Sequence, residues 1–485
     1  MARGMESEEM LKSTASSLAR RRLISLTGKA IETPHYVAVT SRGVVPHVSP
    51  DVLARHTSIK AVYFGLEDFV EKSSVDAPIL TTSQTLEKTS DGSALHKFTG
   101  LPGRIATILG PRRVPRVTCP AQSTDKAISI CTSVGFRSLT AEDYLHAASS
   151  LRPDVVVSMA DIADTDTISR KRTEKMVDRT HSWFTEAASE LAPTKARTQL
   201  YASILPLDNV QQQLYLSDLA DDESPSGGPA GLALYEFEAA ATLPAELSEH
   251  ARFCISNPST PQDVLRAILS GADLITTSFV TATTERGIAF AFKFPPPQSS
   301  DHQQLGIDMW STSHATSVTA LSTECTCYTC KRHHRAYLHH LLQAKEMLAW
   351  TLLQVHNFHV LDKLFVAIRH SLDAATFERD ANAFIACYAD AFPAGEGEDR
   401  GPRMRGYQMR STGRGEDQKR AKAWGRFEDP SGTASGADSP SAAEFENDQA
   451  RKVSEAIEGG GEAQLALTAD DFEHLGLAEK VKESQ

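Results

Sequence analysis

"RFCISNPSTPQDVLRAILSGADLITTSF", residues 252–279, contains one full strand, helix, strand cycle. Its flanks, RFCIS (252–256) and DLITTSF (273–279), are β-branched and apolar, too continuously so to leave one face wet. Between them, TPQDVLRAILSGA (260–272) sets Val264, Leu265 and Ile268 on one helical face. Thr260 suits the N-cap, Pro261 the first turn and Gly271 the stop. Working outward, YVAVT (36–40), AVYF (61–64), VVVSM (155–159) and ALYEF (233–237) read as further strands, and AEDYLHAASSLRP (141–153) as another connecting helix. This alternation predicts a parallel sheet covered by helices. A (β/α)8 barrel over residues 20–320 fits the length best. An open doubly wound sheet is the alternative, but no G-x-G-x-x-G follows the first strands to favour it.

The chain has 485 residues, 41% of them hydrophobic and 23% charged, enough for one large α/β domain or two ordinary ones. No stretch reaches the roughly 20 uncharged apolar residues that cross a bilayer, and MARGMESEEMLKSTASSLARRR lacks the apolar core of a secretory signal. Glu6, Glu8 and Glu9 speak against a mitochondrial presequence, Arg20, Arg21 and Arg22 for one; residues 1–19 are expected to be flexible. Seven cysteines, four of them scattered (Cys119, Cys131, Cys254, Cys387), do not form a secreted disulfide framework, which points to a reducing compartment. The net charge is −12. Residues 393–485 carry 13 Lys+Arg and 19 Asp+Glu, a net of −6, and the preceding part the other −6. That mild deficit neither forbids basic patches nor signals RNA binding. From Pro393 onward the composition turns to Gly, Ser and charge, so 393–485 reads as a disordered tail. Within it, LALTADDFEHLGLAEKV (465–481) has the spacing of a short helix, and Arg400 to Arg426 form a basic run that reads as a solvated linker.

One cluster carries chemistry. Cys325, Cys327 and Cys330 form C-x-C-x-x-C, and His356 follows after 25 residues. Three thiolates and an imidazole complete a tetrahedral set, the donor set of structural Zn2+, one ion per chain, with no position left for a reactive water. An unbroken helix from 330 to 356 would span about 39 Å, so the segment must double back. The break is expected near Lys345 and Glu346, making 321–392 a zinc-binding subdomain with closing helices. His359, one turn beyond His356, is the competing ligand. His333, His334, His339 and His340 are expected on the helix surface.

The segment TECTCYTCKRHHRAYLHHLLQAKEMLAWTLLQVHNFH resembles the zinc subdomain of the tRNA-guanine transglycosylases. RFCISNPSTPQDVLRAILSGAD (252–273) is similar to the strand and helix that lead to their nucleophile, and Gly231, Leu232 and Ala233 to part of their Gly-Gly-Leu-Ala loop. The likeness covers roughly 20–390. It implies a (β/α)8 TIM barrel with a zinc-binding helical subdomain, and an exchange of guanine for a deazaguanine at the anticodon wobble position of tRNA.

The departures matter more. The family's nucleophilic aspartate lies three residues after the first aspartate of Gly-x-Asp-x-Phe-Asp-Cys; here the strand reads GADLITTSFV, so Asp273 matches that first position and Thr276 stands where the nucleophile belongs. A threonine hydroxyl without a base is a poor replacement for a carboxylate at an oxocarbenium-like centre. The Asp-Ser-Gly-Gly-Phe-Gln holding the second aspartate is missing; Asp91 in SDGSAL reads as a polar turn. SILPLDN (203–209) stands in place of the Gln-Gly-Gly that holds the base. Asp161 falls near the base-recognising aspartate, with a helix cap or turn carboxylate the equal alternative.

Retained scaffold without carboxylates resembles the family's non-catalytic eukaryotic branch, as do TPHYVAVTSRGVVPHVSPDVL (33–53) and TTERGIAFAF (283–292). No catalytic residue is expected in this chain. The resemblance implies a heterodimer with the catalytic subunit of queuine tRNA-ribosyltransferase, which supplies both aspartates and the queuine pocket. It implies tRNA with a GUN anticodon as the shared partner, and a cytoplasmic location with peripheral association at the mitochondrial outer membrane. Leu341, Leu342, Met347, Trp350, Leu353 and Phe358 are candidates for core or interface. Lys331, Arg332 and Arg335, and Arg112, Arg113 and Arg116, are candidate phosphate contacts. Two other readings stay open: an active transglycosylase that has recruited Asp273, Glu285 or another carboxylate, and a zinc-stabilised binding module unrelated to tRNA.

Overall fold

The computed structural model describes residues 18–402, apart from 71–76, 88–92, 120–121, 133–134, 164–167, 193–197, 222–227, 298–301 and 395–400. All belong to one compact unit, Met1–Trp424. Residues 1–17, Asp91, most of the 393–485 tail and its basic run lie outside the described residues.

Fourteen strands are described: β1 Arg22–Leu26, β2 Lys29–Thr33, β3 His35–Val39, β4 Ala61–Gly65, β5 Ala106–Gly110, β6 Ala127–Thr132, β7 Gly135–Thr140, β8 Val155–Val157, β9 Gln199–Ile204, β10 Gly231–Leu234, β11 Ala251–Cys254, β12 Leu274–Thr276, β13 Ile288–Phe290 and β14 Gly306–Asp308. Eight of them, β3, β4, β5, β8, β9, β10, β11 and β12, close a parallel barrel in chain order. The (β/α)8 TIM barrel is therefore the fold. The other six form antiparallel hairpins, β1–β2, β6–β7 and β13–β14.

Barrel strands have neither face in water, which is why AVYFG and ATILG are buried at all five positions. One set of side chains faces the helices. The other fills the barrel: Val37, Tyr63, Ile108, Val155, Val157, Tyr201, Phe253 and Leu274 pack together there, and Leu26 and Ile31 of the β1–β2 hairpin join them at the strands' N-terminal end. Asp154 pins this hairpin by accepting from Lys29 Nζ at 2.6 Å, while Thr107 N donates to the same carboxylate at 2.8 Å.

The helix anticipated at 260–272 runs from Pro261 to Leu269 with a capping box, Thr260 bonding Asp263 N and the Asp263 carboxylate returning to Thr260 N. The limits of the strands read from the sequence moved by a few residues. ALYEF begins two residues late, since β10 starts at Gly231, and DLITTSF yields only Leu274–Thr276 before a helix opens at Phe279.

Beyond the barrel, three helices, Tyr328–Arg332, Arg335–Gln343 and Met347–Asp373, double back as the metal spacing requires. The reversal falls at Lys345, whose φ is +54°. Lys345 N bonds Leu342 O and Glu346 N bonds Leu341 O, both at 2.9 Å, the paired bonds of a Schellman ending. Trp350 is fully buried, among Leu338, Leu342 and Leu353, and its Nε1 donates to Glu285 O at 3.1 Å. Of the candidates for core or interface, Trp350 is thus core, whereas Met347 is 81% exposed.

Candidate metal centre and barrel mouth

The turn Cys325–Cys330 and the middle of the long helix build the cluster. Cys327 caps the short helix, its Sγ accepting from Cys330 N at 3.3 Å. Thr329 Oγ1, buried, donates to Leu352 O at 2.6 Å and ties the turn to the long helix. One turn further along, His356 faces the thiols. Its Nδ1 lies 3.6 Å from Cys325 Sγ, 3.6 Å from Cys327 Sγ and 3.4 Å from Cys330 Sγ, and all four donor atoms fall within 4.8 Å of one another. A tetrahedral ion with metal–sulfur bonds of ~2.3 Å and a metal–nitrogen bond of ~2.0 Å would separate S and N by about 3.5 Å, so the donor set fits.

The other imidazole nitrogen fixes the ring's orientation: His356 Nε2–H donates to Phe290 O at 2.9 Å, so Nδ1 is the nitrogen that faces the thiols. Asn357 reinforces that contact, accepting from Phe290 N at 2.8 Å and donating to Ile288 O at 3.0 Å. Sequence reading missed Phe290, Asn357 and Thr329, and no motif marks them, because their role is to hold a ligand. Crowded together, the groups share protons. The neighbouring Cys327 and Cys330 thiols hold Cys325 far below its ordinary value, while Cys325 and Cys330 push Cys327 far above. Burial lowers His356, but Cys325 and Cys330 outweigh it and hold the imidazole at about 9. A metal entering must displace these protons. His359 stands aside, half-buried, with Nε2 3.4 Å from Thr326 Oγ1.

Around it, Lys331, Arg332, His334 and His340 are exposed. His339 departs from its expected surface position: it is buried, and its Nδ1 bonds Met309 O at 2.9 Å, because it lies on the face that packs against the β13–β14 hairpin. Arg335 spends its guanidinium on the carbonyls of Ala320 and Leu321, at 3.1 and 2.8 Å.

Polar groups in a (β/α)8 barrel do chemistry at the C-terminal mouth. Thr276, at the end of β12, is buried there with its hydroxyl committed to Ser256 O at 2.6 Å. Asp273 sits at the opposite end, fully buried, bound by Arg20 Nε at 3.0 Å and Nη2 at 2.6 Å and by Arg252 N at 2.9 Å. It is a structural pin. Glu285 pairs with His47 Nε2 at 3.2 Å.

Asp161, past β8, is buried and bridges two arginines, Arg172 Nη2 at 2.6 Å and Arg179 Nη1 at 2.9 Å. Burial raises its carboxyl, but the bonds from Arg172, Arg179 and Ser123 prevail and hold it below the usual range. Glu67 and Asp68 both face Arg113, at 2.9 and 3.1 Å. Glu236, just past β10, is exposed, its carboxyl raised by partial burial and by Glu238.

The queuine tRNA-ribosyltransferase family model matches residues 15–390. A Schizosaccharomyces pombe protein named queuine tRNA-ribosyltransferase accessory subunit 2 is 35% identical over 83% of this chain and 89% of its own length. Proteins of the same name from Drosophila melanogaster, at 29% identity, and Xenopus tropicalis, at 28%, each align with 71% of this chain and with 84% and 90% of themselves. A barrel with a Cys3His knot in the expected place, together with these matches, makes the chain a member of the queuine tRNA-ribosyltransferase family.

Proposed function

We propose that this chain is the non-catalytic accessory subunit of a heterodimeric queuine tRNA-ribosyltransferase. Its partner would carry out the exchange of guanine for queuine in GUN-anticodon tRNAs, while this chain stabilises the assembly and helps grip the tRNA. The observation that carries the reading is Thr276: where the family's nucleophile belongs stands a buried hydroxyl already spent on a backbone carbonyl. The names of the relatives support it. Cys325, Cys327, Cys330 and His356 would hold one Zn2+, which supplies a rigid cross-link and no reactive water. A cytoplasmic location, peripheral to the mitochondrial outer membrane, accompanies the reading; among the described residues no helix is long and apolar enough to cross a membrane.

A second reading, catalysis by a non-standard carboxylate, has a candidate past β10. Glu236 is exposed just past β10. Of the earlier candidates, Asp273 is ion-paired with Arg20, and the Glu285 carboxylate lies 3.2 Å from His47 Nε2.

Native mass spectrometry of the purified chain, alone and mixed with the catalytic subunit, tests the assembly. One zinc per chain and a one-to-one complex are expected. A chain that ignores the catalytic subunit would refute the accessory reading.

A further inference from the structure

The loop after β5 closes the barrel mouth. Pro111 to Arg116 cross the opening, with Val114 packed into the interior cluster beside Tyr63, Tyr201 and Phe253. Two glycines permit the close approach. A Cβ on Gly65 would lie 2.6 Å from Arg113 N, and one on Gly110 would collide with the Tyr63 hydroxyl at 1.9 Å. Tyr235, past β10, packs against both this cluster and the outer core.

Three arginines in this loop face different fates. Arg113 is neutralised by Glu67 and Asp68. Arg116 bonds Ile162 O at 3.2 Å and Ala163 O at 3.4 Å. Arg112 has its backbone held, its carbonyl accepting from Tyr63 Oη at 2.7 Å, yet its side-chain Nε and Nη1 are buried and have no hydrogen-bond partner among the described residues. The neighbouring acids are engaged: Glu67 also accepts from Cys131 N at 3.0 Å, and Asp161 belongs to Arg172 and Arg179. Buried donors without an acceptor are rare in native proteins because their lost hydration goes uncompensated.

We propose that Arg112 is the anchor of a phosphate-binding site at the barrel mouth. A guanidinium presents adjacent N–H groups in a planar fork that matches two phosphate oxygens, and the C-terminal face of this fold is where phosphate groups are bound. With Val114 in the interior cluster and Tyr235 packed against it, the ligand engages the rim, not the barrel axis. The phosphate is either that of a small molecule or part of an RNA backbone. Only the RNA arm rests on the accessory reading.

The full chain is titrated calorimetrically with inorganic phosphate and with guanosine 5′-monophosphate, and by filter binding with a GUN-anticodon tRNA. Wild type is compared with Arg112→Met, Arg112→Lys and, as a charge control, Arg55→Gln, whose side chain is 73% exposed. Arg112→Met is expected to weaken binding at least tenfold in one arm, with Arg112→Lys intermediate and Arg55→Gln unchanged. Loss in the small-molecule arm identifies a free phosphate ligand; loss in the tRNA arm alone identifies a backbone phosphate.

Without ligand, Arg112→Met should melt no lower than wild type, since it removes unpaired donors. The proposal fails if wild type and Arg112→Met are equal in all arms. It also fails if both Arg112 variants are destabilised without ligand, because the guanidinium is then structural. Complex formation with the catalytic subunit is read separately, so failure here leaves that reading untouched.

Discussion

His356 faces three thiols with one ring nitrogen and Phe290 O with the other, and this division suits an imidazole on a helix to metal ligation. The cysteines were legible in the sequence because three thiols on one turn recur at short intervals, and the histidine because it completes their donor set from 25 residues further on. The Phe290 carbonyl was not legible, since a backbone acceptor has no residue signature. Cys330→Ser should reduce bound zinc, measured by plasma mass spectrometry, from one per chain to near zero, and lower the melting temperature. Retention of a full equivalent would mean that the four-ligand assignment is incomplete.

A second residue pair sets a pH dependence. Burial raises the Asp362 carboxyl to about 6, against the pull of Tyr36, whose hydroxyl donates to it at 2.7 Å, and of Ser58. The folded state therefore holds a proton that the unfolded chain releases at lower pH, so this contribution to stability falls as pH rises from about 4 through 6. His35 acts oppositely. Burial lowers it to about 4, so stability is lost as pH falls from 6.5 toward 4. Comparing wild type with Asp362→Asn cancels His35. Denaturant unfolding should find wild type more favoured relative to the variant at pH 4.5 than at pH 7, by about 2 kcal/mol at ~1.4 kcal/mol per pKa unit. An unchanged difference would count against the buried Asp362.

Among the elements, six of the eight barrel strands were readable as apolar runs, and two were not. β5 is only five residues long, with Gly103 shortly before it and Gly110 and Pro111 at its end, so breakers mask it. β9 carries Gln199 and Ser203, which dilute its apolar signal; Ser203 is nonetheless buried, its hydroxyl donating to Ser158 O at 2.6 Å on the neighbouring strand. Asp273 shows the reverse case. Its motif position suggested chemistry, yet at the N-terminal end of β12 it joins Arg20 of the leading segment to β11. Asp273→Ala should cost roughly 1–3 kcal/mol in chemical unfolding by taking the acceptor from the half-buried Arg20 and from the buried Arg252 N–H. Asp273→Asn, to the extent that it folds, should leave exchange by the assembled complex unchanged. Loss of exchange in a well-folded Asp273→Asn complex would restore the catalytic reading.

At the scale of the whole molecule, the barrel and its metal knot agree between sequence and structure because both rest on periodic patterns. Commitment of the mouth's carboxylates was not legible. Asp161, Glu67 and Asp68 acquire their arginines only when distant loops meet. Under the proposed accessory role, a mouth whose buried acids are ion-paired and whose Thr276 hydroxyl is engaged would keep the family's scaffold without its nucleophile. The most direct measurement is incorporation of labelled guanine into a GUN-anticodon tRNA by the purified chain, by its Glu236→Gln variant, and by each mixed with the catalytic subunit. We expect background incorporation from the chain alone and full incorporation in both mixtures. Robust incorporation by the isolated chain, abolished by Glu236→Gln, would contradict the account.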